Sequence, residues 1–302
     1  MKKQDIPNWI GLVLGILATC LLLGWAARTH MPKADYGVPG SEGESVMTNT
    51  SPQMLILGDS VIGKERNVDS VAHYLMNATG LTTMNGAFGG TSARTNNIHN
   101  EYAHHESSLT LVELKDAIIT GDFGIQLADY PSNQFGSEYF PYTLSQMART
   151  DYENLSVILL GYGVNDYLSG EACDNPENPY DEGTYLGAMR LSIEAFQKRF
   201  PKAQIVLITP NYCWIGTGED GNHVDYGYGT LEDFADGLIA VGKEYDLPVI
   251  DIYHSGVFGP ENKEIYLEDG LHLTWEGRKA YGEYAAGELT RILREKGVLA
   301  SL

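Results

Sequence analysis

Short apolar runs recur along the chain from residue 53 onward, and they lack the alternation of polar and apolar positions that marks a half-exposed strand. Parallel strands that are buried on both faces have this pattern. Five of these runs predict strands, at 54–57, 82–85, 156–160, 204–209 and 248–252.

Between these runs, apolar residues recur at helical spacing. Two such stripes are Leu186, Met189, Ile193, Phe196 and Phe200, and Tyr281, Ala285, Leu289 and Ile292. Strands that alternate with helices predict an α/β fold with a central parallel sheet of about five strands and helices on both faces. Ligands in such folds bind at the carboxyl ends of the strands, which is where we look for chemistry.

The N-terminal region has a different pattern. Residues 9–27 form an uncharged apolar run of 19 residues, and a helix of that length reaches roughly 28 Å, close to the hydrocarbon thickness of a bilayer. We expect a short tail at 1–8, a transmembrane signal-anchor at 9–27, a flexible linker at 28–52 and one α/β domain at 53–302. A cleaved signal peptide is the closest alternative for the apolar run.

The expected orientation in the membrane rests on the short tail. Lys2 and Lys3 precede the apolar run, and Arg28 and Lys33 follow it, so the count of flanking positive charges is tied. A short N-terminal tail is typical of a signal-anchor, so we expect the domain to lie outside the cell.

The net charge of the chain disfavours some classes of binding partner. The 302 residues carry a formal net charge of −20, and residues 1–33 carry +3, so the remainder carries −23. Such an acidic surface repels phosphate backbones, which disfavours nucleic acid as a partner. Apolar residues make up 43% of the chain, enough for a sizeable core.

Four segments with polar or glycine residues follow predicted strands. They are Gly58-Asp59-Ser60, the glycine-rich stretch 85–91, Gly163-Val164-Asn165-Asp166 and Asp269-Gly270-Leu271-His272. Taken singly, each is most simply a helix cap or a turn. Because the carboxyl ends of parallel strands share one edge of the sheet, the four segments together supply a cluster of donors and acceptors in one crevice.

These four blocks, in this order, resemble those of the SGNH, or GDSL, serine hydrolases over roughly residues 53–295. The resemblance implies a three-layer α/β/α flavodoxin-like fold and ester hydrolysis without metal or organic cofactor. It implies Ser60 as nucleophile, His272 as its base and Asp269 as the acid that orients His272. The oxyanion hole would be formed by the backbone N–H groups of Ser60 and Gly90 and the side-chain amide of Asn165.

The substrate is less defined by the sequence. Two long insertions, at 96–150 and 211–231, are expected to set it, and the second contains Tyr212 and Trp214. These aromatic side chains either bind sugar rings, which favours a carbohydrate ester such as an O-acetylated polymer, or anchor the loop. Acyl transfer to a sugar, and a non-catalytic glycan-binding or assembly role at the cell surface, are the alternatives to hydrolysis.

The cysteines and histidines give weaker signals. Cys173 and Cys213 either form a disulfide outside the cell or remain free thiols. His99, His104 and His105 lack the spacing of a zinc site, so we expect a solvated loop there and no metal. The expected partners are therefore an ester substrate and, through the N-terminal helix, the membrane; the oligomeric state stays open.

Overall fold

The computed structural model describes residues 51–95, 107–130, 139–214, 220–221 and 223–300. The predicted membrane anchor and most of the predicted linker lie outside these residues. Of the helices in the described ranges, none combines the length and the apolar character needed to cross a bilayer.

A five-stranded parallel sheet forms the centre of the domain, as predicted. Its order is β2-β1-β3-β4-β5. The strands are β1 (Met54–Gly58), β2 (Thr83–Asn85), β3 (Val157–Gly161), β4 (Gln204–Ile208) and β5 (Val249–Ile250). All five residues of β1 and of β3 are buried, which explains why neither strand alternates polar with apolar positions.

Helices fill the connections between the strands. They are α1 (Ser60–Gly63), α2 (Val71–Thr79), α3 (Leu111–Thr120), α4 (Gly124–Asp129), α5 (Tyr139–Met147), α6 (Val164–Leu168), α7 (Tyr185–Arg199), α8 (Leu231–Glu244), α9 (Lys263–Tyr266) and α10 (Trp275–Glu295). Short 3₁₀ turns occur at Ser107–Leu109 and Tyr152–Asn154.

Two helical layers cover the sheet. Helix α10 packs against α2, and α7 packs against both α3 and α8. Because parallel crossovers are right-handed and the strand order reverses at β1, α2 lies on one face of the sheet and α7 and α8 on the other. The apolar stripes predicted on α7 and α10 are buried, as expected for core positions.

The prediction that residues 96–150 are one long insertion is wrong for part of that range. Helix α3 belongs to the layer of α7, and its Leu111 and Leu114 are fully buried. Its apolar stripe needs a partner surface, and α7 provides one. Helices α4 and α5 are the other α-helices in the described part of this range.

The sheet topology determines where a ligand binds. Strand β1 pairs with β2 on one side and β3 on the other, and the order reverses at this point. A crevice therefore opens outside the carboxyl ends of β1 and β3. The segments that begin at Asp59 and Tyr162 enter that crevice directly from these two strands.

Candidate active site

Ser60 is the first residue of α1, immediately after β1. The carboxylate of Asp59 caps this helix by accepting a hydrogen bond from the Val61 N–H at 2.9 Å. Ser60 is 7% exposed, so the residue is buried at the carboxyl end of β1. A serine at a helix start is often only a cap, but here Asp59 is the cap.

The Asp269–His272 segment reaches the same point from the other end of the chain. His272 Nε2 lies 2.9 Å from Ser60 Oγ, and His272 Nδ1 lies 2.7 Å from Asp269 Oδ2. The other carboxylate oxygen of Asp269 accepts the backbone N–H groups of Leu271 at 3.1 Å and His272 at 2.8 Å. With an ionised carboxylate at Nδ1, that nitrogen carries the proton and Nε2 is free to accept one from Ser60.

The electrostatics of Asp269 agree with this arrangement. Partial burial tends to raise the pKa of Asp269, but the hydrogen bonds from the side chain and the backbone of His272 outweigh it. The pKa of this carboxyl therefore lies below its usual range, which favours the ionised form.

Several contacts fix the loop that carries His272. Leu267 and Leu273 form an isolated antiparallel bridge, and the Glu268 N–H donates to the His272 carbonyl at 2.8 Å. The loop turns at Gly270, whose φ of 87° favours glycine. Trp214 donates its backbone N–H to the Gly270 carbonyl at 2.7 Å. The position of the imidazole thus depends on backbone contacts on both sides.

The expected oxyanion donors follow β1, β2 and β3, at one edge of the sheet. Gly90 has a φ of 76°, a conformation that side chains disfavour, and it follows β2 in the glycine-rich stretch. Within the described part of the chain, the backbone N–H groups of Ser60 and Gly90 have no hydrogen-bond acceptor. The Asn165 amide donates to the Thr91 carbonyl at 2.8 Å, so one of its two N–H groups is used to hold the glycine stretch and the other is available.

Two residues beside the site were not predicted. The Tyr139 hydroxyl accepts the Gly89 N–H at 2.8 Å, and the Arg66 guanidinium lies 4.4 Å from the centre of the Tyr139 ring. Arg66 also donates to the carbonyls of Asn85 and Ala87. Neither residue lies in a motif, and Tyr139 is 50 positions from its partner in the chain, so no sequence signal indicates this contact.

Of the two alternatives for Tyr212 and Trp214, sugar binding and anchoring of the loop, the burial of Trp214 favours anchoring. Trp214 is only 5% exposed, and its ring packs 4.7 Å from that of Tyr212 and 5.2 Å from Lys263 Nζ. Tyr212 is itself partly buried and stacks on Tyr253 at 5.1 Å. A ring packed in this way offers little area to a sugar, so Trp214 anchors the loop. The burial of Trp214 results from tertiary packing, and the glycine-rich sequence around it does not indicate this burial.

The structure also distinguishes between a disulfide and free thiols at Cys173 and Cys213. Cys173 and Cys213 are both free thiols. Burial raises the pKa of each thiol to about 12, so neither is a nucleophile near neutral pH. His99, His104 and His105 lie outside the described residues.

Two buried carboxyl groups lie directly behind the site. Burial raises the pKa of Asp59 to about 7, although the Val61 N–H opposes the shift, and the nearby Asp166 adds to it. Burial likewise raises the pKa of Asp166 to about 6, against the N–H groups of Ala93 and Arg94. Both carboxyls are thus protonated more readily in the folded protein than in the unfolded chain.

This shift predicts that Asp59 makes stability fall as pH rises from about 4 to about 7. The unfolded chain releases this proton near its ordinary pKa of 3.8, whereas the folded protein holds it until about 7. Asp59→Asn keeps the oxygen that accepts from Val61 but cannot ionise. We expect urea unfolding between pH 4 and pH 8 to show that the free energy of unfolding of wild type falls by up to about 4 kcal/mol relative to that of the variant. Parallel pH curves for the two proteins would contradict the assignment.

The fold and the family match together show an esterase-type hydrolase. Residues 56–280 match the GDSL-like Lipase/Acylhydrolase family, and the chain belongs to this family. A comparison with curated proteins gives no match.

Solved structures share the fold at low identity. A possible lipase from Chitinophaga pinensis DSM 2588 is 18% identical, with a TM-score of 0.52 over 82% of this chain and 99% of that one. A protein from Lactobacillus plantarum is 15% identical, with a TM-score of 0.56 over 82% and 98%. A salicylyl-acyltransferase from a tetracycline biosynthetic pathway is 16% identical, with a TM-score of 0.50 over 81% and 56%.

Proposed function

We propose that this protein cleaves carboxylic esters through an acyl-enzyme formed on Ser60. The observation that carries the proposal is the chain of hydrogen bonds from Ser60 Oγ to His272 Nε2 at 2.9 Å and from His272 Nδ1 to Asp269 at 2.7 Å. Serine is a weak nucleophile at neutral pH and needs an adjacent base, which His272 supplies. Asp269 keeps the imidazole in the tautomer that accepts the proton.

The reaction has two halves. In the first, Ser60 Oγ attacks the ester carbonyl, its proton passes to His272, and the imidazolium then protonates the departing alcohol. In the second, His272 takes a proton from water, the resulting hydroxide attacks the acyl carbon, and Ser60 leaves with the proton restored. The N–H groups of Ser60 and Gly90, with the amide of Asn165, stabilise the negative charge on the carbonyl oxygen in both halves.

For the substrate, we propose a short acyl group on an alcohol, with an O-acetylated carbohydrate as one candidate. The support is the second insertion, 211–231, which also contains Tyr226 and Tyr228, exposed at 42% and 54%. Acyl transfer is the second candidate, because it begins from the same acyl-enzyme, and the same fold occurs in a salicylyl-acyltransferase. An acylated product that forms only when an acceptor alcohol is present would distinguish transfer from hydrolysis.

We also propose that residues 9–27 anchor the chain in a membrane with the hydrolase domain outside the cell. The support is the run of 19 uncharged apolar residues, which fits a bilayer core. Retention in the membrane fraction after alkaline carbonate extraction tests the anchor, and release into the soluble fraction would count against it.

The experiment that tests the proposed mechanism is covalent labelling. The purified protein is incubated with a fluorophosphonate, and intact mass and peptide mapping locate the adduct while hydrolysis of p-nitrophenyl acetate is followed. We expect one adduct, on Ser60, formed in step with loss of hydrolysis and absent from Ser60→Ala. Labelling of another residue, or full hydrolysis by the labelled protein, would overturn the proposal. Ser145→Ala, a surface change on α5, is the matched control.

A further inference from the structure

The glycine-rich stretch 85–91 is held by hydrogen bonds along almost its whole length. Its N–H groups bond to the end of β1 and to a side chain within the stretch, and its last hydroxyl bonds back to the stretch itself. These contacts are Gly86 N–H to the Ile56 carbonyl (2.8 Å), Ala87 N–H to Asn85 Oδ1 (3.1 Å), Phe88 N–H to the Gly58 carbonyl (2.9 Å) and Thr91 Oγ1 to the Phe88 carbonyl (2.8 Å). Within the described chain, the Gly90 N–H alone among the N–H groups of residues 86–90 has no acceptor.

Arg66 binds backbone carbonyl groups of this stretch. Its guanidinium donates to the carbonyl of Asn85 at 2.7 Å and to that of Ala87, and its Nε donates to the Gly63 carbonyl at 2.9 Å. The planar fork of arginine fixes several acceptors at once, which a lysine does not. Arg66 thus ties the end of α1 to the start of the glycine stretch.

Tyr139 binds a backbone N–H group of the same glycine-rich stretch. Its hydroxyl accepts the Gly89 N–H at 2.8 Å, and its ring is fixed by an edge-to-face contact with Phe140 at 4.6 Å and by the Arg66 cation on its face at 4.4 Å. A Cβ built on Gly89 would lie 3.3 Å from the Tyr139 hydroxyl and 3.6 Å from Ser60 Cβ. The phenol therefore lies beside the nucleophile, on the glycine side of the crevice.

We propose that Tyr139, supported by Arg66, is a positioning residue that aims the Gly90 N–H into the oxyanion hole. Two successive glycines give the backbone more freedom than any other pair, and the peptide between them carries the Gly90 N–H. The hydrogen bond from the Gly89 N–H to Tyr139 fixes the peptide just before it, and the Asn165–Thr91 bond fixes the chain just beyond it. A donor held in place in this way costs no reorganisation when charge develops on the substrate.

Tyr139→Phe tests this inference, because it removes the hydroxyl and retains the packed ring. We expect kcat for p-nitrophenyl acetate to fall about 10- to 100-fold, less than the full loss of an oxyanion donor, with KM changed by no more than about twofold. A split of this kind is expected when an interaction acts only on the transition state. Loss of packing alone would lower the unfolding temperature and leave kcat of the folded protein unchanged.

Tyr142→Phe is the matched control. Tyr142 is one helical turn further along α5, is 56% exposed, and bonds to Gln146 Nε2 at 3.0 Å on the surface. We expect its kcat, KM and unfolding temperature to equal those of wild type. Both variants lose one phenolic oxygen from the same helix, so a difference between them reflects the contacts of the Tyr139 hydroxyl with the Gly89 N–H and with Arg66.

A second readout uses a boronic acid that forms a tetrahedral adduct with serine. We expect Tyr139→Phe to weaken its binding by about the same factor as kcat falls, since the adduct places an oxygen in the oxyanion hole. Arg66→Lys, which keeps the charge but loses the fork, is expected to change both quantities in the same direction. Unchanged kcat and boronate affinity in Tyr139→Phe, or a raised KM with normal kcat, would overturn the inference.

The inference rests on the proposed esterase mechanism, but the two fail differently. If wild type neither hydrolyses the ester nor takes the fluorophosphonate on Ser60, the mechanism is wrong. If wild type does both and Tyr139→Phe equals wild type in kcat and boronate affinity, the mechanism stands and only the positioning role of Tyr139 is lost.

Discussion

Replacing either Ser60 or His272 by alanine is expected to lower kcat for p-nitrophenyl acetate by about 10⁴-fold or more. The reason is geometric. Ser60 Oγ and His272 Nε2 lie 2.9 Å apart, and in the proposed mechanism His272 Nε2 accepts the proton that Ser60 loses. Without His272, Ser60 is an ordinary hydroxyl; without Ser60, His272 has no nucleophile to activate.

The double variant gives the sharper test. Because the two residues act as one unit, Ser60→Ala combined with His272→Ala should be no slower than the slower single variant. Independent contributions would instead multiply to a far larger loss. Any activity that remains above the buffer rate is expected to come from the oxyanion donors, which both substitutions leave in place.

His254→Ala is the matched control for His272→Ala. His254 stands in an Asp-x-x-His segment of the same spacing, with its Nδ1 2.9 Å from Asp251 Oδ2. It has carboxylates around it and no serine hydroxyl bonded to its Nε2 within the described residues. We expect it to retain wild-type kcat, and equal losses in the two histidine variants would contradict the assignment of His272.

The sheet, and the edge at which the candidate site residues lie, could be predicted because both follow from local sequence patterns. A strand such as β3 is buried on both faces, so its residues form an unbroken apolar run, and the Gly-x-Asn-Asp block that follows must lie at the sheet edge. Ser60 and His272 are 212 positions apart. Ser60 nevertheless lies just after strand β1, and His272 lies just before helix α10.

The contacts that position the site were not predictable in the same way. Tyr139 bonds to Gly89, and Trp214 bonds to Gly270, through pairings that depend on how separate segments pack. An aromatic residue in a glycine-rich loop has the same appearance in sequence whether it is exposed to a sugar or buried beneath a catalytic loop. Burial of Trp214 is decided by tertiary packing alone, which is why the sequence left both alternatives open.

We expect Asp269→Asn to lower kcat more than Asp269→Ala does. One oxygen of Asp269 accepts the backbone N–H groups of Leu271 and His272, at 3.1 and 2.8 Å. An asparagine keeps its single oxygen at these two donors, so its NH₂ group must face His272 Nδ1, now 2.7 Å from the carboxylate. That forces Nδ1 to accept and moves the ring proton to Nε2, where it blocks proton transfer from Ser60.

Alanine at 269 imposes no such tautomer. Part of His272 is open to solvent, with 26% of its side chain exposed, so water can accept from Nδ1 and leave Nε2 free. We therefore expect kcat to fall about 10³- to 10⁴-fold in Asp269→Asn and only about 10- to 100-fold in Asp269→Ala, where the base remains but is less well oriented.

The order of these two variants separates two roles for the carboxylate. If Asp269 acts mainly by fixing the tautomer, the isosteric asparagine is the worse replacement, and fluorophosphonate labelling of Ser60 slows by the same factor as ester hydrolysis. If Asp269 acts mainly through its charge, both variants lose the charge equally and their kcat values coincide. Asp251→Asn, which alters the equivalent contact at His254, should leave kcat at the wild-type value under either outcome.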